Sequence, residues 1–396
     1  MFLLREGKFE FHPTVSCHLC LPPQFIFKLD LTMIRASLLK TARVVVPNCV
    51  RNAPHLRTVY SSFSEEVTQP SVGGKSSKKT DPNSFMGKLK SYGDLSKFRL
   101  SSMVVLTSGA GFAAAGLPLD YCTMAAVCAG TALCAGSAGT FNQLYEIEQD
   151  SKMKRTIARP LVTGNVSRTE AAMFGLSTGA AGTALLYAAT NPVVAALGLA
   201  NIGLYAGIYT YSKQHTEWNT WIGALVGAIP PVMGWAAATG GSIVAPEPAL
   251  LASLLFLWQF PHFFALSYLH REDYARGGFE MVAVNDPTGS RSAGLVMEYS
   301  MYLTALPILA SATGLTSYMF AFEGTVVNLY LLYLAQKFRQ DRTNAGAKRV
   351  FLCSLWYLPA LMAGFLFHST MWDKQKVEDE VKSDEVRILY VFLVPP

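Results

Sequence analysis

Residues 171 to 212 read AAMFGLSTGAAGTALLYAATNPVVAALGLANIGLYAGIYTYS, without a single Asp, Glu, Lys or Arg. A helix rises about 1.5 Å per residue and needs around 20 apolar residues to cross the hydrocarbon core of a bilayer. This run is therefore two crossings that turn at Asn191-Pro192. Other charge-free runs cover 100 to 119, 121 to 145, 218 to 246, 248 to 270, 299 to 322 and 350 to 372. Together they predict an all-α, polytopic membrane protein with nine spans, near 101–119, 123–143, 170–189, 192–212, 220–238, 249–270, 293–311, 318–337 and 350–369. The eighth is the least regular, because Glu323 lies near one end and Lys337 closes the other.

Composition agrees with lipid as the solvent. Of 396 residues, 51% are hydrophobic and only 15% charged, against roughly a quarter charged in ordinary globular chains. The seven cysteines lack the regular spacing of a disulfide framework. Cys17-x-x-Cys20 has no second pair to complete a zinc site. A net charge of +6 would suit nucleic acid or an anionic membrane surface, so the placement of the cations decides. Of the 33 Lys and Arg, those of the membrane region lie between the spans and most of the rest precede the first, and no nucleic-acid partner is expected.

That placement is one-sided. Lys152, Lys154, Arg155, Arg159 and Arg168 follow span 2, and Lys213 follows span 4. Arg271, Arg276 and Arg291 follow span 6; Lys337, Arg339, Arg342, Lys348 and Arg349 follow span 8. The four opposite connections hold no Lys or Arg. By the positive-inside rule, loops 2-3, 4-5, 6-7 and 8-9 face the compartment of import. From Met33 to Phe63 there are five basic residues, no acidic ones and several Ser and Thr, the pattern of a mitochondrial transit peptide. The expected organisation is a transit peptide over 1–63 with Met33 as the functional start, a flexible polar linker over 64–97, a membrane domain over 98–370 and a C-terminal tail over 371–396. The expected location is the mitochondrial inner membrane, with the four basic loops in the matrix.

Polar groups at membrane helix ends are costly, which makes them the first candidates for function. Asn142, Glu146 and Asp150 lie at i, i+4 and i+8, so a continuing helix stacks three oxygen-bearing side chains on one face. Hard oxygen ligands at this spacing suit Mg²⁺, which keeps several waters and binds through one or two carboxylates plus substrate phosphates. Arg155 and Arg159 can meet phosphate oxygens in bidentate fashion, with Lys154 as a further point charge. Trp258, His262, His270 and Asp273 fall on one face if helix 6 runs on. Histidine there can ligate haem iron or donate to a propionate. Asn219 sits one turn before Gly223-x3-Gly227, whose glycines permit close helix packing.

The run Asn142-x3-Glu146-x3-Asp150, followed by Met153-x-Arg155-Thr156-x2-Arg159-Pro160-Leu161, resembles the first acidic motif of the UbiA-type intramembrane prenyltransferases. Within that family it is most similar to the haem-farnesylating branch. The stretch from Tyr209 through Lys213, Asn219 and Pro230-Pro231 to Trp235 resembles the family's central signature. Trp258-Gln-x-Pro261-His262-Phe263-x-Ala265-Leu266, with Asp273-Tyr274, resembles its sixth helix and second motif. The resemblance covers about residues 95 to 370. Departures are Gly277 where the wider family carries a second carboxylate, Glu146 in place of an aspartate, Gln214 at a position usually basic, and Phe98 within Lys97-Phe98-Arg99.

The resemblance implies transfer of a farnesyl group from farnesyl diphosphate to a vinyl group of protohaem IX, giving haem O on the route to haem A. It implies Asn142, Glu146, Asp150 and Asp273 as the catalytic Mg²⁺ site, and Arg155, Arg159, Lys213 and Lys154 as diphosphate ligands. His262, His270, Trp258 and Asn219 are the candidate haem contacts. The bilayer and the haem A synthase that uses the product are the expected partners. A prenyltransferase of quinone precursors is the alternative, and Gly277 argues against it. A transporter would carry polar residues across the depth of several helices, whereas here they gather at one side.

Overall fold

The computed structural model describes residues 84–116 and 118–372. The expected transit peptide, residues 64–83 of the expected linker and the tail beyond 372 lie outside the described residues. Twelve helices follow in order among the described residues: α1 (Phe85–Leu95), α2 (Phe98–Ala113), α3 (Tyr121–Tyr145), α4 (Ile147–Lys152), α5 (Arg168–Ala189), α6 (Pro192–Ser212), α7 (Asn219–Ala238), α8 (Pro246–Leu269), α9 (Arg271–Gly277), α10 (Ser290–Ala312), α11 (Tyr318–Asp341) and α12 (Asn344–His368).

Eight of these, α3, α5 to α8 and α10 to α12, are long and apolar enough to cross a membrane. The first expected span differs. α2 has 16 residues, about 24 Å of helix, and begins three residues earlier than the charge map suggested. The nine expected segments are thus all helical, eight of them at full crossing length.

Local chemistry sets the ends. Asn191 caps α6 by accepting from Val194 N, and Pro192 occupies the first helical position, where its missing N–H costs nothing. Ser167 and Glu170 form a capping box at the start of α5. Asp120 accepts from Cys122 N at the start of α3. The last stretch expected to be linker is instead a capped helix: Ser84 Oγ accepts from Gly87 N, and Leu95 is fully buried beside Leu161, Val166 and Ala171.

The helices form a bundle. α3 packs on α5 and α2, α2 on α7, α8 on α7, α10 and α12, and α10 on α11. Small residues bring α2 and α7 into backbone contact. A Cβ on Gly234 would sit 1.8 Å from Ser108 O, and one on Gly111 would sit 2.0 Å from Pro231 O. One apolar core centres on Phe260, Phe264, Leu303, Phe338 and Tyr357; another joins Phe112, Val127, Leu186, Val194 and Met233. Many large apolar side chains face outward, among them Phe322, Leu329, Leu176 and Ile308, as lipid-facing positions require.

Candidate active site

The stacking of Asn142, Glu146 and Asp150 survives a break in the helix. α3 ends at Tyr145 and α4 begins at Ile147, with Glu146 at φ −96°, ψ 17° between them. Glu146 N still bonds Asn142 O at 3.1 Å, and Asp150 N bonds Glu146 O at 2.8 Å, so the three side chains remain one above another. All three are at most 2% exposed.

Cations surround the ladder. Lys213 Nζ lies 2.9 Å from Glu146 Oε1, Arg159 lies 4.0 Å from Glu146 Oε2, and Arg159 also pairs with Asp150. Burial alone would raise the Glu146 carboxyl, but Lys213, Lys97 and Arg159 hold it below its ordinary range. At Asp150 burial prevails over Arg159, and the carboxyl is raised. Lys213 moves the other way from a simple buried amine. Burial would lower it, and Glu146 and the neighbouring tyrosines raise it.

Two contributors escaped the sequence reading. Lys97, which the charge map left in the linker, donates to Asn142 Oδ1 and to Tyr205 Oη at 3.0 Å. It occupies the left-handed region at φ 50°, uncommon for any residue but glycine, at the corner between α1 and α2. Its ammonium sits well below the usual lysine range, chiefly through burial, with Arg159 and Lys213 adding repulsion. The other contributor is a π-helical stretch in α6, Leu204–Tyr209, which turns Tyr205 and Tyr209 toward the ladder. Their rings stack at 5.2 Å, with Lys213 Nζ 4.6 Å over Tyr209. Tyr205, Tyr209 and Lys213 repeat the i, i+4, i+8 spacing of the acidic ladder, a signal present in the sequence.

These groups open onto a cavity of about 930 Å³ lined by Lys97, Glu146, Asp150, Arg155, Arg159 and Lys213 at its polar part and by His262, Phe263, Leu266 and Phe279 along its walls. Lys97 and Tyr205 also border a narrow apolar slot between α2, α3, α6 and α7, walled by Leu100, Val104, Cys134, Ile202 and Met233.

The remaining expected residues divide. Asp273 accepts from Lys154 N at 3.0 Å and Arg155 N at 3.2 Å and pairs with Arg276, so it holds the 153–157 turn. Burial would raise its carboxyl, but those donors keep it below the ordinary range. Together with Lys154 and His270 it lines a separate depression, and Arg155 lines both. α8 ends at Leu269, so His270 does not continue the face of His262. Trp258 stacks on His262 at 4.9 Å and donates to Ser354 O; it does not line the cavity. Asn219 does, but its amide donates to Thr216 O and Glu280 O, fixing the start of α7. Gly223 and Gly227 admit the Tyr209 ring and the Gln259 amide, which a Cβ would meet at 2.8 and 2.4 Å.

Hard oxygen donors fit a magnesium ion here. Asp150 Oδ1 is buried without a hydrogen-bond partner among the described residues, and it faces the same ladder as Glu146. No cluster of three or more His, Cys, Asp or Glu is gathered among the described residues. Two carboxylates and an amide suit an ion that keeps waters and completes its shell with substrate phosphates.

Residues 103–380 match the model of the UbiA prenyltransferase family. The chain is 42% identical to the mitochondrial protoheme IX farnesyltransferase of Arabidopsis thaliana, over 72% of this chain and 66% of that protein. It is also 42% identical to the Homo sapiens protein of that name, over 68% of this chain and 60% of that one. The match spans 60 to 66% of these relatives' length. A solved digeranylgeranylglyceryl phosphate synthase superposes with a TM-score of 0.59 at 15% identity, covering 72% of this chain and 99% of that one. The apo UbiA homolog from Aeropyrum pernix K1 gives 0.54 at 18%, covering 68% and 98%. At such identities the structures speak to the fold, and the family follows from the sequence matches: the chain belongs to the UbiA prenyltransferase family.

Proposed function

We propose that the chain transfers the farnesyl group of farnesyl diphosphate to a vinyl carbon of protohaem IX, forming haem O in the mitochondrial inner membrane. The carrying observation is a polar cavity and an apolar slot that meet at Lys97 and Tyr205. Lys97, Arg155, Arg159 and Lys213 surround two buried carboxylates in the cavity, and the slot opens beside Lys97 and Tyr205. That is the shape of an allylic diphosphate, charged at one end and oily along the rest. Similarity to two mitochondrial protoheme IX farnesyltransferases at 42% identity favours haem as the acceptor.

The chemistry follows from charge. The allylic C–O bond breaks and its electron pair leaves with the diphosphate. Arg155, Arg159, Lys213 and Lys97 stabilise the charge that develops there, in a site where water competes little. Asp150, Glu146 and the Asn142 amide would hold Mg²⁺, which when bound would further neutralise the leaving group. The vinyl π pair closes the new C–C bond, water captures the resulting cation, and a proton is released to leave the hydroxyl. Asp273 acts through the turn it holds, presenting Arg155 to the cavity. His262 faces the acceptor. In this reading the basic loops lie in the matrix, the diphosphate binds at that face, and the product passes to haem A synthase.

Expression in cells that have lost their own haem-farnesylating enzyme tests this reading in place. Haem O and haem A should reappear; their continued absence with the protein correctly inserted would overturn it.

A further inference from the structure

Among the described residues His262 is the one imidazole lining the cavity, and its surroundings determine which ring nitrogen carries the proton. Its Nδ1 lies 2.8 Å from Ser354 Oγ on α12. Ser354 is fully buried, and its Oγ lies only 2.6 Å from Phe351 O one turn earlier. Two oxygens that close must share a proton, and the carbonyl has none to give. The serine hydroxyl therefore donates to Phe351 O and can only accept from the histidine. Nδ1 carries the hydrogen, and Nε2 keeps its lone pair. Nε2 has no hydrogen-bond partner among the described residues, while the ring lines the cavity.

The same serine fixes the ring's attitude. Trp258 Nε1 donates to Ser354 O at 2.8 Å, and the Trp258 ring stacks on His262 at 4.9 Å. Phe351 closes the other flank at 5.0 Å. One residue of α12 thus grips two side chains of α8 a turn apart. Such a neutral imidazole, with the proton on Nδ1 and the lone pair on Nε2, is the form that ligates haem iron.

We propose that Ser354 is a positioning residue that locks His262 as the Nδ1–H tautomer, so that Nε2 presents its lone pair to the iron of the acceptor porphyrin. This rests on the haem reading above and adds the residue that orients the ligand.

The test uses the full chain in lipid nanodiscs with histidine labelled with nitrogen-15. Without haem, the His262 signal should show Nδ1 protonated and Nε2 bare, and Ser354→Ala should mix the two forms. With protohaem added, Ser354→Ala should weaken binding about tenfold and alter the absorption spectrum of the bound haem. Ser354→Thr, which keeps the hydroxyl, should restore both. His262→Ala should lose the axial-imidazole spectrum, and free imidazole should return it. If His262→Ala changes the spectrum while Ser354→Ala leaves tautomer and affinity alone, the positioning role is wrong and the haem reading stands. If His262→Ala changes nothing, the iron contact itself is wrong.

Discussion

Lys213 Nζ lies 2.9 Å from Glu146 Oε1, tying the end of α6 to the break between α3 and α4. Both side chains are largely buried, so removing the lysine leaves Glu146 with Arg159, at 4.0 Å, as its remaining ion-pair partner. Lys213→Met should cost about 3 kcal/mol of stability, the low end for breaking a buried pair. Glu146→Gln added to it should recover stability but not turnover. Thermal unfolding in detergent and a turnover assay separate the two, and a double variant no more stable than Lys213→Met would contradict the pairing.

The Lys97 ammonium sits well below the ordinary lysine range in the free site, because burial and two neighbouring cations oppose its charge. A bound diphosphate opposes that effect and raises it. The complex then holds more protons than the free protein over the interval between the two values, so affinity falls as pH climbs through that interval. Inorganic diphosphate binding should weaken toward alkaline pH. Lys97→Arg, whose guanidinium stays charged, should flatten that decline. An equal decline in both proteins would remove Lys97 from the diphosphate site.

Asp273 holds the 153–157 turn by accepting from Lys154 N and Arg155 N. Losing even one such bond, worth about 1.4 kcal/mol, is a tenfold effect. Asp273→Ala should raise KM for farnesyl diphosphate by about that factor, with a smaller change in kcat. The reverse pattern, with KM unmoved and kcat lost, would make Asp273 a direct participant in the chemistry.

Chelation of divalent ions should stop turnover without unfolding the protein, and Mg²⁺ should restore it. Asp150→Asn, which removes the charge of the carboxylate whose Oδ1 is free, should need more Mg²⁺ for half-maximal rate. Full activity in excess chelator would exclude the ion from the mechanism.

Gly234 and Gly111 let the backbones of α2 and α7 touch. Gly234→Ala places a carbon 1.8 Å from Ser108 O, in contact with rigid backbone and not with a side chain that could swing away. Protease protection of the α2 region should be lost. An alanine variant as resistant as the parent would show that the helices can part without cost.

Much of this was legible from residue order. Charge-free runs predict the long helices, with α11 and its Glu323 and Lys337 the exception, because lipid leaves a backbone no partner but itself, and Asn191-Pro192 divides the 42-residue run where a cap and a first-turn proline belong. The acidic ladder was readable because i, i+4 spacing holds even across the break at Glu146. What could not be read depends on where helices meet. Lys97 reads as linker until α1 folds onto α3 and turns it inward. Tyr205 and Tyr209 share the i, i+4, i+8 spacing with Lys213, but which way that row faces depends on where α6 packs and on its π-helical stretch. The shared face of His262, His270 and Asp273 required α8 to run on, and it stops at Leu269.

The most direct test is the product formed by purified full-length protein in liposomes given Mg²⁺, farnesyl diphosphate, and protohaem and a hydroxybenzoate in competition. The account predicts haem carrying one hydroxyethylfarnesyl group, with diphosphate released in equal amount. A prenylated hydroxybenzoate with protohaem recovered unchanged would contradict it.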